Sequence, residues 1–177
     1  MLKKEEAIIK GCLKGNQIAQ MQLYDLYCNT MLNIVCRYLK NREDAKDVMQ
    51  ESFLKAFNNI QNYNKTYPFS TWLKRIMINN SIDYLRKKKI DFVDIDANQL
   101  SIIDDNDWSI NSGISKESVI NAIDELSTKY QLVLKLYLIE GYNHEEIAQI
   151  LDIPIKTSRT HLRRGKLQLQ DLLKNII

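Results

Sequence analysis

Two prolines, Pro68 and Pro154, and five glycines are all that punctuate 177 residues. These residues supply the fixed or positive φ that tight turns need. A chain built only of strands needs a turn signal roughly every 8–12 residues, which this one cannot supply. The expected fold class is therefore all-α, with long helices. The length suits one ordinary domain or two small ones. Although 45% of the residues are apolar, no run of about 18 uncharged apolar residues occurs, so no membrane insertion is expected. The N-terminus, MLKKEEAIIK, puts acids directly after its lysines and does not read as a signal peptide. Cys12, Cys28 and Cys36 are odd in number and form no CxxC pair. That pattern points to a reducing cytoplasm and away from a disulfide frame or a cysteine zinc site.

The net charge of +3 conceals basic blocks at the two ends and two acidic blocks between them. Residues 1–90 carry +8, residues 91–116 carry −5, residues 117–152 carry −5 and residues 153–177 carry +5. Such segregation suggests separate surfaces for separate partners, and the basic blocks suit a phosphate backbone. Solvated helix faces account for the same charges equally well.

Hydrophobic spacing divides the chain into helices. A weak helix over 3–13 stops near Gly15. Asn16 caps a second, expected to reach about Leu39 with Ile18, Met21, Leu23, Leu26, Tyr27, Met31, Ile34, Val35 and Tyr38 at mostly helical spacing. Asn41 caps a third, with Glu43 and Asp44 at the positive end of its dipole. There Ala45, Val48, Met49, Ser52, Phe53, Ala56, Phe57 and Ile60 share one face, and Asp44, Asp47 and Glu51 lie opposite. Carboxylates at that spacing on one helix do not close around an ion, so the acidic side is an exposed stripe rather than a metal box. Residues 61–68, QNYNKTYP, read as a loop. Ser70 is the expected cap of a helix to about Lys89, with a core stripe of Phe69, Trp72, Leu73, Ile76, Met77 and Tyr84 and a polar strip of Arg75, Asn79, Asp83 and Arg86. Residues 91–115 hold six aspartates and lose the helical period, which predicts an acidic flexible linker. Trp108 within it either packs back on a domain or anchors on a partner. From Lys116 amphipathic helices resume. One continues to Gly141, a C′ glycine, and Asn143 opens a capping box with Glu146. The domains are thus 1–90, the linker 91–115 and 116–177.

No catalytic set is present and no cofactor is implied. His144 and His161 lack a partner at ligand spacing, and no Gly-rich phosphate loop exists. His144 reads as plain surface. The segment NHEEIAQILDIPIKTSRTHLRR, residues 143–164, has the marks of a helix-turn-helix. Ala148 is the small residue where two steeply crossing helices touch, Asp152 tolerates a left-handed turn, and Ile153 and Leu162 fill the crossing. Lys156, Arg159, Thr160, Arg163 and Arg164 then face outward, where such side chains reach guanine edges or phosphates. A helical hairpin with a basic surface is the plainer alternative. The turn, the alanine and the exposed basic face together favour DNA.

These residues resemble those of a bacterial extracytoplasmic-function (group 4) sigma factor of the sigma-70 family. NREDAKDVMQESFLKAF (41–57) is similar to the family's core-polymerase-binding helix, FSTWLKRIMINNSIDYLRKK (69–88) to its promoter-melting helix, and 126–167 to its C-terminal domain. Two blocks in this order, with an acidic linker between them, are far more specific than a lone helix-turn-helix. Asp152 stands where glycine is common in the family, and Ser158 where many members carry valine. The loop 61–68 matches no fixed string, as suits a segment that sets specificity.

The resemblance implies a non-catalytic subunit that binds core RNA polymerase, recognises promoter elements and starts DNA melting, in the cytoplasm. It implies that Asp44, Asp47, Gln50 and Glu51 meet the β′ clamp coiled coil, and that the C-terminal domain meets the β flap. Asn62, Tyr63, Asn64 and Tyr67 would hold a base flipped from the minus-ten strand, and Arg75, Asn79 and Arg86 would line its path. Lys156, Arg159, Thr160, Arg163 and Arg164 would enter the minus-thirty-five duplex. An anti-sigma factor is a further implied partner. The alternative is a free-standing helix-turn-helix regulator that binds duplex DNA as a dimer, but it needs neither the Trp72 helix nor residues 41–57.

Overall fold

The computed structural model describes residues 2–88 and 115–174, the side chains from Lys4 onward. The chain forms two compact units that divide at Lys89 and Ile90. All regular elements among the described residues are helices. The acidic segment expected as a linker, Trp108 included, lies outside the described residues apart from Ser115.

The first unit contains α1 (Leu2–Leu13), α2 (Gln17–Cys36), α3 (Arg42–Asn58), a short 3₁₀ turn (Ile60–Asn62) and α4 (Phe69–Lys87). Local chemistry starts these helices. The Asn16 side chain accepts from the Ala19 amide, and Asn41 accepts from the amides of Glu43 and Asp44. Each cap satisfies donors that a helix N-terminus otherwise leaves open. Leu23, Val35, Leu73, Met77, Ile78 and Ile82 are wholly buried where α2, α3 and α4 meet. Full burial of each such side chain contributes about 1.5–3 kcal/mol.

Three expectations need correction. Helix α2 ends at Cys36, not Leu39, because the Tyr38 and Leu39 amides both turn back to the Val35 carbonyl and tighten the last turn. Ile18, Met21 and Leu26 share the helical spacing but are exposed, since Leu23, Met31, Ile34 and Val35 take the buried face. Ser70 does not cap α4. Pro68 does so through its carbonyl, which accepts from the amides of Thr71 and Trp72, and this leaves Phe69 buried in the first turn.

A polar cross-link joins α3 to α4. The Asn80 amide donates to Ser52 Oγ (2.7 Å), and the Ser52 hydroxyl donates to the Val48 carbonyl (2.6 Å). Lys55 donates to Asn80 Oδ1 (2.8 Å). Buried polar atoms are tolerated when paired in this way. The link fixes the register of α4 against α3, and so of the polar strip against the acidic stripe.

The second unit contains α5 (Lys116–Glu125), α6 (Thr128–Leu134) running into a π-helical turn (Lys135–Ile139), α7 (His144–Leu151) and α8 (Ile155–Lys174). Gln131 donates its amide to the Asp124 and Leu126 carbonyls and so closes the end of α5. Buried Lys135 reaches the Asp124 carboxylate. Gly141, at φ 78, ends the π-helical turn region in a backbone conformation that favours glycine.

Gly165 marks a close approach of α8 to α6. A Cβ there would stand 3.0 Å from Leu134 Cδ1 and 3.3 Å from Tyr130 Cβ. Gly165→Val is expected to destabilise this unit by about 1–3 kcal/mol through overpacking. Gly165→Ala should cost less, because alanine recovers about 1 kcal/mol of helix propensity. Denaturant unfolding followed by amide exchange in α8 measures both. An unchanged midpoint for the valine variant would contradict this account of the contact.

Candidate nucleic-acid and polymerase interface

Helix α3 buries Ala45, Val48, Met49, Ser52, Phe53 and Ala56 against the unit and exposes Asp47, Gln50 and Glu51. Asp44, placed with them by sequence, is held differently. Lys88 at the end of α4 reaches its carboxylate at 2.9 Å, and the Lys88 and Tyr84 hydrogen bonds hold that carboxyl below its ordinary range. Glu51 pairs with Lys55 at 3.1 Å. Leu54 is 64% exposed and falls three residues beyond Glu51, on the Asp47 face. An apolar side chain inside an acidic exposed stripe suits a protein contact. Its offset from the buried stripe was readable in the sequence, but the stripe was read only for its charge.

The loop before α4 is tied down by its own side chains. The Tyr63 hydroxyl donates to the Tyr67 carbonyl (2.9 Å), and Asn64 Oδ1 accepts from the Thr66 amide (3.1 Å). Lys65 between them adopts a positive φ of 61, which such a side-chain turn makes possible. The Tyr63 ring packs edge-on to Phe69 (5.2 Å between centroids) and against Trp72 (5.6 Å). Tyr63 is therefore largely committed to the unit, whereas Tyr67 is 67% exposed and offers an open aromatic face. Asn62 ends the 3₁₀ turn and is exposed. Along α4, Arg75 and Asn79 are exposed, and Arg86 lies 3.3 Å from Asp83.

Between this loop and α1 lies a cavity of about 280 Å³. Tyr63, Lys65 and Tyr67 line one side, and Glu6, Ile9 and Lys10 the other. Gln61 donates to the Leu13 carbonyl (2.8 Å), which ties the loop to the end of α1. More than fifty residues separate the two walls in sequence, and no local pattern signals that they meet.

In the second unit, α7 is opened by the Asn143–Glu146 capping box: the Asn143 side chain accepts from the Glu146 amide, and Glu146 accepts from the Asn143 amide. Asp152 takes the left-handed turn (φ 53, ψ 51), and buried Ile153 returns its amide to the Ala148 carbonyl. Along α8, Lys156 and Arg159 are exposed, while Thr160, Arg163 and Arg164 are half-buried. The Thr160 hydroxyl donates to the Lys156 carbonyl (2.9 Å). His144 is not plain surface. Its ring stacks on Tyr137 at 5.2 Å, and Nδ1 lies 2.9 Å from the Oγ of buried Ser158. That contact gives the buried hydroxyl at position 158 a polar partner. His161 is 3% exposed, with its ring edge-on to Tyr130. Burial first, then the Lys129 and Arg164 charges, push it down to about 4.

Among the described residues no group of three or more His, Cys, Asp and Glu side chains is placed to hold a metal ion, and no helix is long and apolar enough to cross a membrane.

Residues 23–90 match the family model for sigma-70 region 2, and residues 116–169 match that for sigma-70 region 4. The chain is 31% identical to the ECF RNA polymerase sigma factor SigW of Bacillus subtilis, over 99% of this chain and 98% of that protein. It belongs to the ECF sigma factors. The sigma factor is also 28% identical to the ECF RNA polymerase sigma-E factor of Haemophilus influenzae, over 98% and 97% of the two chains. Its fold is shared with CnrH in complex with the cytosolic domain of CnrY (TM-score 0.53, 20% identity, 97% of each chain). It is shared too with the sigma factor RpoE in complex with the anti-sigma factor NepR from Bartonella quintana (TM-score 0.55, 21% identity, 87% of this chain and 96% of that one). The protein is thus an RNA polymerase sigma factor, a transcription-initiation factor and not an enzyme. A dimeric free-standing regulator would leave the region 2 match unexplained.

Proposed function

We propose that the sigma factor divides its work between the two units. Residues 1–90 bind core polymerase and take the minus-ten strand, residues 116–177 read the minus-thirty-five duplex, and residues 91–115 connect them. Asp47, Gln50 and Glu51 meet a basic partner surface, the β′ clamp coiled coil, with Leu54 as the apolar contact among them. Asp44 supports that face through Lys88. The non-template strand follows Arg75, Asn79 and Arg86 on α4, and the loop with Asn62, Tyr63, Asn64 and Tyr67 holds a flipped base. Tyr67 supplies the stacking surface, because Tyr63 is half-buried against Phe69 and Trp72. The second unit contacts the β flap and enters the major groove through Lys156, Arg159, Thr160, Arg163 and Arg164. The observation that carries this reading is one chain with an exposed acidic stripe on α3 and an exposed basic face on the second helix of a helix-turn-helix. Run-off transcription with core polymerase on genomic fragments, followed by start-site mapping, tests it. Absence of any sigma-dependent start would overturn it.

The protein acts in the cytoplasm, and an anti-sigma factor covers it when idle. The complex that the structural neighbour RpoE forms with the anti-sigma factor NepR supports that partner.

Arg159 is the exposed arginine nearest the start of α8, the end that enters the groove first. Arg159→Ala is expected to cost about 1–3 kcal/mol on the cognate element and to relax preference at one base pair. Wild-type and variant holoenzymes compared on promoters varied one base at a time measure this. A uniform loss on every variant, with a salt slope reduced by roughly one, would make Arg159 a phosphate contact instead.

A further inference from the structure

We propose that α1 completes the pocket for the flipped promoter base, and that Glu6 makes that pocket select a base with an exocyclic amino group and reject thymine. The inference rests on the reading that the loop before α4 holds an unpaired base, and it adds a wall and a chemistry to that site.

The cavity of about 280 Å³ has a loop side and a helix side. Pockets that take an extruded base read it by stacking and by hydrogen bonds to its Watson–Crick edge. Tyr67 provides an aromatic face on the loop side. Lys65 and Thr66 bring polar groups from the loop, and α1 brings the only carboxylate among the residues that line the cavity. Glu5 is already used, since Tyr27 donates to it at 2.6 Å and so pins α1 to α2. Glu6, the next carboxylate, lines the cavity and is exposed. Lys10, four residues on and hence one turn along the same side of α1, lines it as well. The charge of Glu6, beside that of Glu5, adds to burial in raising the Tyr63 phenol, which places Glu6 close to the loop.

An ionised carboxylate only accepts hydrogen bonds, and an ammonium only donates. Cytosine, adenine and guanine each present an amino group to such a carboxylate and a ring or carbonyl acceptor to such an ammonium. Thymine presents one N–H flanked by two carbonyl oxygens, which repel the carboxylate. The pairing of a carboxylate with a base amino group is a known element of base readout. Among the described residues neither Glu6 nor Lys10 has an ion-pair partner, which suits both to meet a base.

The test uses holoenzymes assembled from core polymerase with the wild-type, Glu6→Ala, Glu6→Gln or Tyr67→Ala sigma factor. Each binds fork-junction promoters whose non-template minus-ten strand is varied base by base. At the preferred position, one further template carries the same base with its amino group deleted. Wild type should lose about tenfold or more in affinity with thymine or with the amino-deleted base at one position. Glu6→Ala should abolish that difference, and Glu6→Gln should weaken it. Glu6 is exposed, so helicity should not change in either variant. A wild type indifferent to the amino group, or a Glu6→Ala protein that keeps the full preference, overturns the inference. In either case Tyr67→Ala tells the two readings apart. If Tyr67→Ala weakens binding to the strand, the loop site stands without α1. If it changes nothing, the loop reading fails as well.

Discussion

A sigma factor carrying Asp47→Arg and Glu51→Arg is expected to remain folded and to lose core polymerase. Both side chains are exposed on α3, opposite the buried Ala45–Val48–Met49–Ser52 face. Surface substitutions of this kind change stability by about ±0.5 kcal/mol. Among the described residues the change removes the Glu51–Lys55 pair, whose side chains are 56% and 47% exposed, and exposed pairs of this sort contribute about 0–1 kcal/mol. At a contact with a basic partner the same change replaces two attractions with two repulsions. Disrupting paired interface charges costs about 2–5 kcal/mol, which at two sites amounts to at least a hundredfold in affinity. Co-purification with core polymerase and the far-ultraviolet circular dichroism of the free protein together measure the outcome. Undiminished co-purification would remove α3 from the polymerase interface. Leu54→Ala is a milder companion. It should weaken association without altering its salt dependence, because it removes apolar area and no charge.

The second large effect is on acid stability, and it follows from His161. In the folded protein this ring is buried, its Nδ1 has no hydrogen-bond partner among the described residues, and its pKa is pushed down to about 4. In the unfolded chain it returns to about 6.5. Between these values the unfolded state binds the proton and the folded state does not, so falling pH favours unfolding. His161 therefore contributes no penalty above about pH 6.5, and stability falls as pH drops from there toward 4. The gap corresponds to about 3 kcal/mol, an order-of-magnitude figure for loss from the second unit. His161→Phe keeps an aromatic ring against Tyr130 and removes the proton site. Its stability should depend less on pH across that window, and it should exceed the wild type most clearly near pH 4.5. Amide exchange in α6 and α8, measured on the full chain at several pH values, reads the second unit directly. Parallel pH curves for the two proteins would refute the role given to His161.

Much of this was legible because it is local. Asn16, Asn41 and Asn143 act on amides two or three residues away, so each cap and each helix start could be read from a window of a few residues. The buried and acidic faces of α3 follow from helical period alone, as does the left-handed turn at Asp152 from its place between two amphipathic runs. The helix-turn-helix follows in the same way, with Lys156 and Arg159 exposed on its second helix and Arg163 and Arg164 half-buried.

What lay beyond the sequence depends on pairs far apart along the chain. Asp44 could not be seen to belong to Lys88, 44 residues on, nor Asn80 to Ser52, 28 residues back. Ile78, Ile82 and Leu85 were missing from the expected core of α4, because a helix gripped by both α2 and α3 buries a wider arc than a single stripe. Tyr63 looked as available as Tyr67 until Phe69 and Trp72 closed on it. Helical period states which side chains share a face. Only packing decides which of two apolar faces is covered, and which carboxylate is already spent on a neighbour. For the same reason α1, a weak helix by its sequence, became a wall of the cavity only when the loop beside Leu13 was tied to it.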